Sequence, residues 1–277
     1  EISEGLVGSE MCIRDSDLSD ELYDLFLDDT RQYSCAYFEN PNNSLKQAQI
    51  NKMNRLSDKL LFNSKDSILD IGCGWGSLSL HMSNTYNCKV KGISLSQEQI
   101  KYCNLQKQKH NENDLLEYSL KDYRNEDTKY TKIVSVGMFE HVGKPFFNAY
   151  FKKIYDLLEE DGIAVIHTIG NIRTPKITAA FIRKYIFPGG YIPTLSEIMP
   201  AIEKSGLIIS DIEVLRLHYA KTLSHWYKNF KKAEDKVLKI NDKKFIRMWE
   251  AYLNLSEHSF IKGDNVIKTK GAIHYLT

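Results

Sequence analysis

Apolar positions along the chain recur in two rhythms, the 3.6-residue period of a helix and the two-residue period of a strand. Leu18, Leu22, Leu25 and Phe26 share one helical face over residues 17–29, and Leu45, Met53, Leu56 and Leu60 do so after the capping pattern Ser44-x-x-Gln47. Residues 68–71 are a short apolar run that enters a glycine turn, Gly72-Cys73-Gly74-Trp75-Gly76, and leaves through Ser77-Leu78-Ser79-Leu80, which predicts a buried strand, a tight turn and a helix start. A second strand is predicted at 89–95, and a helix capped by Ser96-x-x-Gln99 runs to about residue 110. Leu116, Tyr118 and Leu120 alternate as a third strand ending at Asp122-Tyr123, and 132–136 is a fourth. An amphipathic helix over 146–158 stops at Gly162, and 163–169 is a fifth strand. Strands alternating with helices at this spacing imply a parallel sheet with right-handed crossovers. Beyond Gly170 the pattern changes. Residues 181–187, the turn Pro188–Pro193 and a capped helix at 194–205 read as an insertion over the strand ends, followed by a strand at 211–217 and helices at 223–239 and 243–255.

In parallel sheets ligands sit at the carboxyl ends of strands. Gly72–Gly76, Ser94, Asp122-Tyr123, Glu140 and His167 all fall there, each just after or at the end of a different predicted strand. Glycine in the first turn lets backbone approach a ligand, and the following helix N-terminus adds partial positive charge. The third glycine comes one residue too early for a dinucleotide fingerprint, and no Gly-Lys-Ser/Thr follows as a phosphate-binding loop requires. Asp70-x-Gly72-x-Gly74-x-Gly76 after an apolar strand instead matches the pattern of S-adenosylmethionine (SAM) dependent methyltransferases.

Composition narrows the partners. The 277 residues carry 37 basic and 36 acidic side chains, so there is no broad basic field for nucleic acid. An apolar content of 42% is that of a globular chain, and no run of 18 apolar residues marks a membrane span. A lipid substrate would have to be reached from the membrane surface. Five cysteines without metal-type spacing point to free thiols in a reducing cytoplasm, and no metal site is expected. Residues 1–16 lack the features of a secretory leader and read as an unstructured or artefactual start to a single domain over 17–277, with a lid or insertion at about 171–255. Lysines gathered between 228 and 244 are interrupted by Glu234, Asp235 and Asp242, as on a solvated face, though a phospholipid-headgroup contact is the other reading.

Five segments together carry a more specific likeness: Tyr-Ser-Cys-Ala-Tyr-Phe at 33–38, Leu-Asp-Ile-Gly-Cys-Gly-Trp-Gly at 69–76, Val-Ser-Val-Gly-Met-Phe-Glu-His-Val-Gly at 134–143, His-Thr-Ile-Gly at 167–170 and Lys-Tyr-Ile-Phe-Pro-Gly-Gly at 184–190. The chain resembles the cyclopropane-fatty-acyl-phospholipid synthase family, with the mycolic-acid cyclopropane synthases as near relatives. The resemblance implies an α/β fold: a Rossmann-like SAM-dependent methyltransferase sheet with helices on both faces, an inserted helical lid and C-terminal helices. It implies transfer of a methylene group from SAM to the cis double bond of an unsaturated phospholipid acyl chain, at the membrane surface, by a cytoplasmic, peripheral protein, and it is compatible with a homodimer. In that family bound bicarbonate is thought to accept the proton, and its ligands correspond to Cys35, Glu140, His167, Ile169 through its backbone, and Tyr219. Cofactor positions correspond to Tyr33, Ser34, Gly72, Gly74, Ser94, Gln99, Asp122 and Tyr123, to which the strand ends add Asp70, Gly76 and Leu95.

These residue types suit the chemistry. Thiol, phenol, imidazole and backbone N–H can donate to an anion, while Glu140 must be protonated or share a proton. A carbocation in a dry pocket needs aromatic walls, and Phe139, Tyr37 and Phe38 are the expected ones. Each residue also has a plainer reading: His167 as a satisfied strand histidine, Glu140 as a helix-cap carboxylate, Cys35 as a small buried group. Many members of the family have a far larger N-terminal region than is present before the glycine strand here. Residues 255–259, Leu-Ser-Glu-His-Ser, hold no cysteine where some relatives carry one once proposed as nucleophile, which argues against a covalent thiol route there. Alternative functions are methylation of a small amine, a plain methyl branch on a lipid, or SAM or lipid binding without catalysis.

Overall fold

The computed structural model describes residues 20–109 and 114–274, so residues 1–16 lie outside the described ones, as does the start of the first predicted helix. The order of strands in the sheet is β3 (Leu116–Leu120), β2 (Lys89–Ser94), β1 (Ser67–Ile71), β4 (Tyr130–Val136), β5 (Leu158–Asn171), β8 (Asn265–His274) and β6 (Ile208–Ile209), with β7 (Ile212–Val214) also paired to β8. β1 to β5 run parallel, whereas β8 is antiparallel to β5, β6 and β7.

The two-residue period of the strands decides which helices cover which face. Ile68, Val90, Val134 and Val165 point to one side, onto α2 (Leu45–Leu60), α3 (Ser77–Tyr86) and α4 (Gln97–Lys109). Leu69, Ile71, Ile133 and Ile166 point to the other, onto α5 (Phe147–Leu157) and α6 (Leu195–Ser205). A third apolar cluster gathers α1 (Asp20–Phe26), the 33–38 segment, α7 (Arg216–Lys232) and α9 (Lys243–Ile261), with Trp226, Trp249 and Phe26 fully buried; α8 (Glu234–Ile240) joins it through Val237. This third layer stands against the carboxyl ends of the strands and closes the space above them. Caps act where the sequence places them: Gln47 N donates to Ser44 Oγ at 3.2 Å, and Gln99 N to Ser96 Oγ at 3.2 Å.

Three expectations need correction. The strand read at 211–217 is only Ile212–Val214, because the next apolar residues, Leu215, Tyr219, Ala220 and Leu223, fall at helical spacing and bury one face of α7. The helix read at 223–239 thus begins at Arg216 and breaks at Ala233. The sheet is not wholly parallel, since β8, not anticipated, enters it beside β5.

Candidate active site

A cavity of about 320 Å³ opens at the carboxyl ends of β1 to β5, within the roughly 300–1,000 Å³ usual for small-molecule sites. Tyr33, Ser34, Cys35, Asp70, Gly72 and Gly74 line it, as do Ser94, Leu95, Gln99, Asp122 and Tyr123, and Glu140, His167, Ile169 and Tyr219. Of the anion and cofactor positions singled out from sequence, Gly76 alone does not.

The two glycines differ for a geometric reason. Gly74 has φ +55° and nothing within 4 Å of where a Cβ would stand, so the space beside it is open to a ligand. Gly76 caps α3 at φ +78°, and a Cβ there would meet Cys103 Sγ at 2.6 Å and Tyr118 Oη at 2.7 Å. It is needed for packing of the helix on its neighbours. The turn itself is held by Gly72 N and Cys73 N, which donate to Ile93 O at 2.9 and 3.0 Å. Asp70 accepts from Ser79 Oγ at 2.6 Å, and burial raises its pKa to about 6.

At the next strand ends, Ser94 Oγ donates to Gln99 Oε1 at 2.8 Å and fixes that amide toward the cavity. Burial works against the charge on Asp122, but Arg124 outweighs it through its side chain, its backbone N–H and its charge, keeping Asp122 below the usual carboxylate range. An ionised acceptor therefore stands ready for a donor such as an adenine amine.

Across the cavity, the β4–α5 loop brings Glu140 to β5. Ile169 N donates to Glu140 Oε1 at 2.7 Å, while the buried Oε2 has no hydrogen-bond partner. Burial raises the Glu140 pKa and this backbone bond offsets part of the rise. The Ile169 N–H is thus engaged with Glu140, and Ile169 acts at the site by orienting that carboxyl. His167 is 1% exposed and burial lowers its pKa to about 3, so its imidazole is neutral at pH 7. Burial likewise keeps Cys35 a thiol and Tyr219 a phenol. Thr222 Oγ1 on α7 accepts from Ala36 N at 3.0 Å, which holds the Cys35 segment beside the first turns of the helix that carries Tyr219.

The expected aromatic walls lie elsewhere. Phe139 packs against Phe147, Tyr150 and Phe151 beneath the sheet, and Tyr37 and Phe38 stack on His218 and His225. Rings that do line the cavity include Tyr33, Trp75, Phe187, Tyr191 and Tyr219. Sequence reasoning also missed Lys52. This residue is 1% exposed on α2, donates to Ser34 Oγ at 3.0 Å and to Gln32 Oε1, and has its pKa lowered by burial to about 8. With Gln49, whose Nε2 donates to the Gln32 and Ser34 carbonyls at 3.2 and 3.0 Å, it holds the 32–35 segment at the cavity wall. A signal was present: positions 45, 49, 52, 56 and 60 form one helical stripe, and two of them are polar.

The chain is similar to known proteins in both sequence and fold. The sequence profile described as Mycolic acid cyclopropane synthetase matches residues 9–269. A probable fatty acid methyltransferase of Pseudomonas putida is 39% identical over 254 residues, covering 89% of this chain and 64% of that protein. The cyclopropane-fatty-acyl-phospholipid synthase of Escherichia coli K12 is 36% identical over 244 residues, covering 88% and 62%. The chain therefore spans less than two thirds of the length of either. The structure of mycolic acid cyclopropane synthase CmaA1 complexed with SAH and CTAB superposes with a TM-score of 0.89 at 29% identity, covering 95% of this chain and 97% of that one. With a profile matched over nearly the whole sequence and a methyltransferase sheet beneath the site, this chain belongs to the mycolic acid cyclopropane synthetase family.

Proposed function

We propose that the protein transfers a one-carbon unit from SAM to the cis double bond of an unsaturated phospholipid acyl chain, closing a cyclopropane ring, and that a bound bicarbonate ion takes up the proton released from the transferred carbon. The reading rests above all on one observation: Glu140, oriented by the Ile169 N–H and with Oε2 unpartnered, shares a single cavity with Cys35, His167, Tyr219 and the glycine turn.

The residues fit both small molecules. The open space beside Gly74, the Ser94–Gln99 pair and the ionised Asp122 suit a nucleoside with an amino-acid tail. When bound, SAM supplies an electrophilic methyl group. The chain's own part is to place an alkene beside that group, exclude water and manage one proton. Tyr33, Phe187 and Tyr219 give apolar faces without a competing nucleophile, and Cys35 stays protonated. A proton held at Glu140 Oε2 can be donated to a small anion, as can those of the Cys35 thiol and the Tyr219 phenol, so a monoanion is bound without a buried like charge beside it.

The P. putida relative supports a second reading, a plain methyl branch on the same kind of lipid. Incubation with SAM and unsaturated phospholipid, followed by mass spectrometry and ozonolysis of the acyl chains, separates the two. Ring formation adds one CH₂ and removes the ozonolysable bond. A branched product adds the same mass and keeps the alkene, which would overturn the ring assignment.

A further inference from the structure

The mouth of the cavity is flanked by a segment of unusual composition. Between residues 162 and 196 the chain has no aspartate or glutamate, yet it carries Arg173, Lys176, Arg183 and Lys184. Residues 172–177 are all exposed, with Ile172 at 47% and Ile177 at 79%, and Tyr185 follows at 51% in the wide helical turn Ile182–Ile186. On its inner side the same segment lines the cavity through Thr178 and Ile182, and Phe187 continues that lining. One face thus looks into the active site while the other shows apolar side chains among cations.

We propose that the exposed face of residues 172–185 docks on a bilayer containing anionic phospholipid and sets the cavity mouth against the lipid surface. The inference rests on the phospholipid substrate proposed above and identifies where that substrate is reached. Isoleucine at 79% exposure is unfavourable against water but favourable in the acyl–headgroup boundary, a tyrosine ring suits headgroup depth, and each nearby cation is attracted by anionic lipid. Arg173 and Lys176 both reach Asp264, at 2.8 and 2.5 Å, so one carboxylate faces two cations there; Arg183 and Lys184 lie on a turn with no acidic residue in its run. The more lysine-rich stretch at 228–244 is a poorer candidate, since Lys231 is bonded to Glu234 and Glu250 and acidic residues interrupt the rest. Docking through 172–185 lets an acyl chain pass from the bilayer into the cavity without crossing bulk water.

The test uses the full chain, vesicles of unsaturated phosphatidylglycerol and phosphatidylcholine, and two variants outside the cavity lining: Ile177→Asp and the pair Arg183→Ser with Lys184→Ser. Wild type should float with vesicles containing phosphatidylglycerol, less so in high salt. Loss of the two cations should weaken vesicle affinity by roughly 25-fold, about fivefold per charge, and Ile177→Asp should weaken it also. SAM affinity by calorimetry should be unchanged in both, and turnover should fall on vesicles while persisting on the same lipid dispersed in detergent. Variants that bind vesicles like wild type, or a wild type that binds none, would overturn the docking surface. So would a dimer in wild type that both variants abolish with no loss of vesicle binding, which would assign the face to a second copy. Should vesicle binding follow the pattern while no lipid in either form gains carbon, the surface stands and the proposed reaction falls.

Discussion

At the scale of single residues, the carboxyl of Glu140 carries the sharpest expectation. Glutamine keeps an oxygen to accept from Ile169 N and an amide that can donate to an anion, but it cannot give up or take up a proton, so Glu140→Gln should leave SAM affinity close to wild type in calorimetry while turnover falls by about 10²–10⁴-fold. Lys52 should behave in the opposite way. Lys52→Met fills similar space but releases Ser34 Oγ and Gln32 Oε1, and the loosened wall should weaken SAM binding by about tenfold, near the 1–3 kcal/mol of a buried polar group left unpaired. Equal SAM affinity in the two variants would contradict that division. Candidate site residues were legible in sequence where a polar side chain stands at the level at which the parallel strands end, as Ser94, Asp122 and His167 do, because that level is a fixed place in the fold. Aromatic walls were not. Whether Phe139 or Phe187 faces the cavity depends on how the loops after β4 and β5 turn, and the ring type is the same in either position.

At the scale of elements, the βα turn after β1 holds two glycines that substitution should separate. Gly74→Asn puts a side chain into open cavity, so SAM binding should be lost with only a modest stability cost, since asparagine tolerates a left-handed φ. Gly76→Ala drives a methyl into Cys103 and Tyr118, so the thermal midpoint should fall, with about 1–3 kcal/mol lost to overpacking. Calorimetry and thermal unfolding of both variants check the pair of outcomes. The five parallel strands and the helices between them were readable because both faces of the sheet are covered, so most strands read as short apolar runs between helical patterns, as at Ile68 and Leu69, which are both buried on opposite faces. The stretch around 211–217 was not. Ile212 and Val214 favour a strand and Leu215 continues the apolar run, so only the later burial of Tyr219, Ala220 and Leu223 shows where the helix begins.

For the whole molecule, the buried histidines dominate the response to acid. His141 and His167 have pKa values lowered by burial to about 4 and about 3, so the unfolded chain takes up protons near pH 6.5 that the folded chain refuses. Their contribution is present above that pH and is lost as pH falls, by about 2 kcal/mol for each histidine between pH 7 and 5. Asp70, raised to about 6, acts in the other direction: the folded state binds its proton first, returning on the order of 1 kcal/mol over the same interval. Urea unfolding should therefore show a net loss on the order of 2–3 kcal/mol at pH 5 relative to pH 7. Stability unchanged across that range would mean the histidines are not held neutral.

Among the described strands, β6 and β7 enter the sheet only through β8, which comes some way after both in chain order. During synthesis the parallel strands can assemble as soon as β5 has emerged, but residues 208–214 have no sheet partner until 265–274 has been made. At about 5–20 residues per second, the interval from the end of β5 at residue 171 to the end of β8 at residue 274 lasts roughly 5–20 s. Throughout it the outer edge of β5, built around Ala164, Val165 and Ile166, offers unpaired backbone to any neighbouring strand. It is in that interval, more than in the finished sheet, that the nascent chain is open to edge-to-edge association and depends on chaperones or fast translation.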